Sequence, residues 1–559
     1  MKKFIGLFFF FSLQCLTSQI HAQAPNILWQ KSLGGTQGDY LEVIKPTADG
    51  GYIAAGYSSS AYTGDKTAGF NGIYDCWIIR LDANGNKIWD KTYGGSNFDG
   101  VYEIIEAKDG SFWVTAQSNS PDDFDKTETC RGGMDYWVLH IADNGNLLWQ
   151  KTLGSNKHDY LQSAIPTSDG GILLSGSTME YYVSADKKDT GCYFNSLVPY
   201  PNEINDTSKT SDIWVIKIEA DGNVSWQKSL GGHNNESIGK IVESNHGTYV
   251  IAATTSSNTS YFRYPNCERF DPFWGYSDYW LVEIDNHGVL VEESNFGGYD
   301  EDKLEYMSKT ADGGYILVGS SNSQASGNKA EAPYYNYDYW IVKVDSNLNK
   351  QWDRVYGSNQ IENGKCIIQT KDGGYLVGGS SEGGLNGNKT VPAYGLKDYW
   401  LLKLDANGID QWQYSIGGNS MDRFSYLGET QDEKIILGGT SFTNISGLKN
   451  TPSKGDCDFW VLLLDKNPAQ TTNTISQLLA DQLATVYPIP ANQYVHIDFI
   501  KPTQKAMVVI YDMLGNRVKS TSLSDTKNML DVSFLNQGNY ILTIQVEGKM
   551  QSRKLSIVK

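Results

Sequence analysis

Carboxylates recur along this chain at two fixed places. One series is Asp39, Asp99, Asp159, Glu236, Asp302, Glu362 and Asp422. The other is Asp75, Asp135, Asp212, Asp278, Asp338, Asp398 and Asp458, each two residues before a tryptophan. If a fold gathers the first series at one rim, seven hard oxygen ligands could hold Ca²⁺ or draw in a cationic ligand. The competing reading is structural: each acid caps backbone N–H groups where a loop enters a strand, as Asp does in many turns. Capping serves every repeat equally. Crowded carboxylates repel, so a ring of them implies hydrogen-bond partners, counter-ions, or spacing beyond a Debye length of about 8–10 Å.

Other chemistry is sparse. The seven histidines are scattered without metal spacing, and there is no HExxH, GxSxG or phosphate loop. Glycosidase acids carry no local motif, so a secreted polysaccharide hydrolase or lyase using carboxylates stays open as the alternative function. Beyond Ca²⁺ no cofactor is implied. A second set of candidates is aromatic: Tyr193, Phe194, Tyr261, Tyr264, Phe273, Trp274, Tyr334 and Tyr335 lie among Asn and Ser in the longest inter-strand segments. Exposed rings beside adaptable polar groups suit recognition of a protein or a glycan. The alternative is that they pack on one another to order long loops.

Repetition positions both sets. The Asp-x-Trp tryptophans Trp77, Trp137, Trp214, Trp280, Trp340, Trp400 and Trp460 are spaced 60, 77, 66, 60, 60 and 60 residues apart. A turn signal, Asp49-Gly50-Gly51, returns at Asp169, Asp312 and Asp372 and is degraded in the other repeats. The first repeat resolves into short strands at 40–46, 51–57, 77–81 and 87–92, rich in Val, Ile, Tyr and Trp and bounded by turn residues. No useful length shows helical periodicity. Four antiparallel strands per repeat, at a period well above 40 residues, predict a β-propeller. In that fold the loops between second and third strands share one face with those between fourth and first strands.

The repeat region begins with a spare fourth strand (27–31) and ends on a third (459–463). A closed ring of seven four-stranded blades uses this offset: the N-terminal strand completes the last blade and covers its edge. The Leu-Asp-x-x-Gly-x-x-x-Trp element (81–89, 404–412) resembles the strand–turn–strand of the tryptophan-docking propellers, the quinoprotein type among them. The resemblance implies tryptophans wedged between blades. It brings no quinone site, whose further residues are not identifiable here.

The chain's ends read as addresses. Lys2 and Lys3, an apolar run from Phe4 to Leu13, and Ala22 predict a signal peptide over 1–22. A lipoprotein reading at Cys15 lacks the small residue normally required just before the cysteine. The propeller is expected over 23–465, a polar linker over 466–482, and a small antiparallel β-sandwich over 483–559. There, Tyr487-Pro488-Ile489-Pro490, Tyr511-Asp512 with Gly515, Leu530-Asp531-Val532-Ser533, Gly538-Asn539-Tyr540-Ile541-Leu542 and the terminal Lys554–Lys559 strand resemble the type A sorting domain of the type IX secretion system of Bacteroidota. Ile489 departs from the usual Asn. The resemblance implies the type IX machinery as partner, passage across the outer membrane, and release or attachment at the surface.

A net charge of −18 argues against nucleic acid and anionic lipid as partners, and no transmembrane segment is expected. In an exported chain Cys76, Cys130, Cys192, Cys267, Cys366 and Cys457 permit disulfides, and free thiols are equally compatible. The leading expectation is an all-β, secreted or cell-surface binding module for an unknown surface protein or glycan. A purely structural surface-layer component is a third.

Overall fold

The computed structural model describes residues 25–180, 182–190, 211–232, 234–257, 274–465, 483–487, 491–499, 505–512, 516–546 and 549–559. The expected signal peptide, the linker, Tyr193, Phe194, Tyr261, Tyr264, Phe273, Cys192 and Cys267 lie outside them. Cys76, Cys130, Cys366 and Cys457 are free thiols. The chain divides into two compact units, Met1–Pro468 and Ala469–Lys559.

The first unit is all-β among the described residues: four-stranded antiparallel sheets, seven in number, repeated along the chain as in a propeller. The strands of the first sheet are Asp39–Pro46, Tyr52–Ser58, Asp75–Leu81 and Lys87–Tyr93. The tight hairpins form where the turn residues stand. Gly50, Gly170, Gly313 and Gly373 take φ between 83° and 87°, a region open to glycine at little cost. Glu433 holds the same turn at φ 63° without that freedom.

The last sheet is completed out of sequence order. Its strands Asp422–Glu429, Ile435–Ser441 and Asp458–Asp465 are joined by Asn26–Leu33, paired antiparallel with Asp458–Asp465. The pairing repeats side-chain chemistry found elsewhere. In six repeats the buried tryptophan's indole N–H donates to the residue thirteen positions later: Asp90, Gln150, Gln227, Glu293, Asp353 or Gln413. Trp460 donates instead to Gln30, at 3.1 Å.

Neighbouring sheets stack through one recurring contact. The ring between Asp and Trp in one repeat lies against the next repeat's tryptophan: Tyr136 on Trp214, Tyr279 on Trp340, Tyr339 on Trp400 and Tyr399 on Trp460, with centroids 4.6–5.3 Å apart. Phe459 of the last repeat meets Trp77 of the first at 4.9 Å. All seven tryptophans are fully buried, and such rings supply the largest apolar area per residue.

The second unit has a three-stranded sheet (Ala484–Tyr487, Tyr494–Phe499, Lys527–Asp531) and a four-stranded one (Arg517–Leu523, Ala506–Tyr511, Gly538–Val546, Lys549–Ile557). One core, including Val495, Ile497, Val508, Leu542 and Leu555, joins their inner faces.

Candidate functional site

The first acidic series begins the first strands: Asp39–Pro46, Asp99–Glu106, Asp159–Pro166, Glu236–Glu243, Asp302–Lys309, Glu362–Gln369 and Asp422–Glu429. All seven acids, Asp39, Asp99, Asp159, Glu236, Asp302, Glu362 and Asp422, are fully buried. Each accepts the backbone N–H of the residue four positions earlier, from Gly35, Gly95, Ser155, Gly232, Gly298, Ser358 and Gly418 respectively, at 2.6–3.1 Å. Serine or threonine hydroxyls add to this, such as Ser60 on Asp39 and Ser323 on Asp302. The Asp-x-Trp acids do likewise: Asp75, Asp278, Asp398 and Asp458 accept the N–H groups of Asn71, Trp274, Tyr394 and Lys454. These are caps at loop–strand junctions.

The two series meet between neighbouring repeats. A methyl placed on Gly34 would lie 2.2 Å from Asp458 and 2.9 Å from Asp39. Beside them sits a cation that the sequence pattern did not flag. Lys66, Lys126, Lys187, Lys329, Lys389 and Lys449 are buried. Their ammonium groups donate to loop carbonyls, Lys389 to Gly383 at 2.6 Å and Lys449 to Thr443 at 2.6 Å. Five of them stand 5.2–5.9 Å over their repeat's buried tryptophan. Five of the six lysines precede the Asp-x-Trp acid by nine residues, a spacing visible in the sequence, but lysine in a Gly/Asn-rich loop ordinarily reads as solvated.

Burial sets the charge of these junctions. It pushes the Asp135 carboxyl up to about 7, with neighbouring Asp159 adding to it, and Asp75 to about 6, with Asp99 adding. It depresses Lys329 and Lys389 to about 8 against the pull of the nearby acids. Burial thus works against charge on both the Asp-x-Trp acids and the lysines of these junctions. Among the described residues, no three or more His, Cys, Asp or Glu side chains converge as a metal-holding group.

The face above these junctions carries the recognition candidates. Trp274, Tyr334 and Tyr335 are 37%, 52% and 62% exposed. The other exposed aromatics of this unit, among the described residues, are Tyr62, Phe124, Tyr182, Tyr276, Tyr299 and Tyr394. Every one lies between second and third strands or between fourth and first strands, and those two loop sets pair through bridges such as Tyr74 with Phe98 and Ser277 with Glu301. Trp274, Tyr334 and Tyr394 hold the same position in three successive repeats, each donating its backbone N–H to the Asp-x-Trp acid. The Trp274 and Tyr334 rings lie over Gly327 and Gly387, where an added methyl would come within 3.0 Å of them. Tyr394 was not among the sequence candidates; its place in this series is the signal for it.

Mostly three and four residues beyond the buried acids, and one beyond Asp422 at Arg423, the first strands contribute to something else. A cavity of about 270 Å³ takes lining residues from all seven of them, including Glu42, Tyr102, Gln162, Lys240, Glu305, Lys365 and Arg423. Unlike the junctions, it has no repeat symmetry. Glu103 stands between Lys45, at 2.5 Å, and Lys240. Burial would raise its carboxyl, but the two ammonium groups overcome that and hold it at about 2. Glu305 pairs with Lys365 at 2.5 Å. A second cavity of about 450 Å³, lined by Lys45, Lys240, Tyr306 and the distal ends of several first strands, lies towards the opposite face.

Residues 485–559 match the family described as secretion system C-terminal sorting domain. The chain thus carries a type IX sorting domain and is exported to the cell surface or secreted. It is 21% identical over 378 residues to the regulatory protein FlaEY of Caulobacter vibrioides, which covers 63% of this chain; the chain spans 36% of that protein's length. Among solved structures it is similar to PorZ, a surface component of the type-IX secretion system of Porphyromonas gingivalis, at 10% identity over 95% of this chain and 75% of that one (TM-score 0.25). It is also similar to the Synechocystis apocarotenoid oxygenase, at 12% identity over 71% and 95% (TM-score 0.33), and to puromycin hydrolase, at 12% over 73% and 50% (TM-score 0.36).

Proposed function

We propose that the exported repeat unit is a closed seven-bladed propeller that acts outside the cell as a binding module, taking a protein or glycan partner on its loop-rich face. Closure is supported by the strand Asn26–Leu33 completing the last sheet, by the Phe459–Trp77 contact between last and first repeats, and by a cavity lined from all seven first strands. The observation that carries the function is the one-sided distribution of exposed rings: among the described residues, all nine exposed aromatics of the unit emerge on the same face. The row Trp274, Tyr334, Tyr394 offers broad apolar surfaces on loop backbone already held by hydrogen bonds, so little loop ordering is needed on binding. In this reading the first-strand acids act as caps, each accepting a backbone N–H group, with buried lysines near them in six repeats.

The test is a screen of the purified chain against immobilised glycans and solubilised envelope proteins. A partner captured by the wild type and lost in the Tyr334→Ala/Tyr335→Ala double variant supports the reading. A partner retained at full affinity by that variant and by Trp274→Ala would remove the aromatic face from it.

A further inference from the structure

The 270 Å³ cavity has an unbalanced polar lining. Of its charged residues, Glu103 and Lys240 are joined to each other, and Glu305 is joined to Lys365. That leaves Glu42 and Arg423, on the first strands of the first and last repeats. Neither side chain makes an ion pair or hydrogen bond among the described residues. Burial pushes the Glu42 carboxyl up to about 7 even though Lys365 and Arg423 oppose it, as expected where no cation is in direct contact. A third group is unsatisfied: the buried Oε1 of Gln162 has no donor, and its amide reaches Ser177 only at 3.5 Å. Gln162 holds the same strand position as Glu42 and Tyr102 in the third, first and second repeats, so these three form one arc of the lining.

An unpartnered carboxyl that an incoming cation would ionise, an unpaired guanidinium at the mouth and an orphaned acceptor in one pocket define a ligand by complementarity. A simple anion would satisfy Arg423 and leave the half-buried Glu42 without a partner. A simple cation would satisfy Glu42 and Gln162 Oε1 and make no use of Arg423, which stands exposed at the mouth. An apolar molecule would cover Glu42 and Gln162 Oε1 without pairing them, at the usual cost of burying unpaired polar atoms. The volume lies at the lower edge of ordinary small-molecule sites, roughly 300–1,000 Å³. We infer that this cavity binds a small zwitterion, a free amino acid or dipeptide, with its ammonium group on Glu42 and Gln162 Oε1 and its carboxylate on Arg423. Arg423 is exposed and directly follows Asp422 at the start of its strand, which places entry on the loop-rich face.

The experiment is a thermal-shift panel of the proteinogenic L-amino acids and glycine-containing dipeptides on the purified chain, followed by calorimetric titration of any hit. At least one zwitterion is expected to bind, and its N-acetylated and C-amidated forms to bind at least tenfold more weakly. Glu42→Gln and Arg423→Gln are each expected to weaken binding at least tenfold while leaving the melting temperature of the free chain within a few degrees. The proposal is overturned if no zwitterion binds at up to about 10 mM, or if the blocked analogues bind as well as the free ones. The blocked-ligand comparison uses only the wild-type chain, so it decides the matter even if a variant fails to fold. Retention of a surface partner with loss of the small ligand, or the reverse, separates this site from the aromatic face.

Discussion

The junctions between sheets and the cavity lined by the first strands lie within a few residues of one another on the same strands, and they obey opposite rules. At the junctions each repeat supplies a first-strand carboxylate (Asp in five, Glu in two), the same Asp-x-Trp pair and, in the six repeats where it is described, the same lysine. Three residues further on, the corresponding positions read Glu42, Tyr102, Gln162, Gly239, Glu305, Lys365 and Ser425. A residue that must solve one packing problem seven times stays the same. A residue that meets a single ligand, off-centre, has no reason to repeat. In a repeat protein the loss of internal symmetry is thus a pointer to function that a single sequence can provide.

The comparison breaks most easily at a tryptophan. Trp340→Ala should cost about 3–5 kcal/mol of stability, because the ring is fully buried and its indole is bonded to Asp353. Denaturant unfolding followed by fluorescence measures it. A loss under 1 kcal/mol would mean that the junctions do not hold the sheets together.

The acids make the same point through pH. Asp135 has a native carboxyl pushed up to about 7 by burial, above its unfolded value near 4. The native state therefore holds its proton more tightly. The stability so gained is complete below about pH 4 and is lost as pH rises through about 7. Asp75 acts in the same direction up to about 6. Unfolding free energy should fall by on the order of 4 kcal/mol between pH 5 and pH 8 through these two groups, and Asp135→Asn should remove the larger part of that slope. A rising profile over this window would contradict the assigned charge state. Below about pH 4 the trend reverses, because Glu103 and the turn acids Asp49, Asp169, Asp312 and Asp372 are held at about 2.

A smaller effect sharpens the role of the N-terminal strand. Gln30→Ala removes the acceptor of the Trp460 indole and a bond to the Leu448 carbonyl; Gln150→Ala removes the matching bonds to Trp137 and Asp125. Both should cost about 1–3 kcal/mol, and by similar amounts. A negligible loss for Gln30→Ala alone would show that the last sheet tolerates a loose edge. The smallest change runs the other way: Glu433→Gly should add about 0.5–1 kcal/mol, since Glu433 sits at φ 63° where other repeats use glycine. Thermal melting would register it as a rise of a few degrees or less.

Much of the framework was legible. The Asp-x-Trp spacing, the strand order within a repeat and the out-of-phase first strand all come from local composition and period. The observed strands of the first sheet differ from the expected ones by two residues or fewer at each end. The exposed rings Trp274, Tyr334 and Tyr335 were also visible, because long polar loops rich in aromatics declare themselves by composition. The junction lysines were not: their spacing is regular, but the sequence carries no mark that a loop folds back to bury them over a tryptophan. The first-strand acids were visible as a series, with their surroundings left open between capping and a metal-holding rim.

What the sequence by itself determined is what repeats or lies close along the chain: strand period, turn chemistry, tryptophan core and the address at the C-terminus. Those features depend on interactions within one repeat or one domain, so each leaves a local pattern. The cavity was decided only in three dimensions. Glu42, Gln162 and Arg423 are separated by more than a hundred residues in turn and share one pocket because residues of seven first strands line it. No local rule marks three unlike residues as partners; only the packing of the sheets brings their unsatisfied groups together.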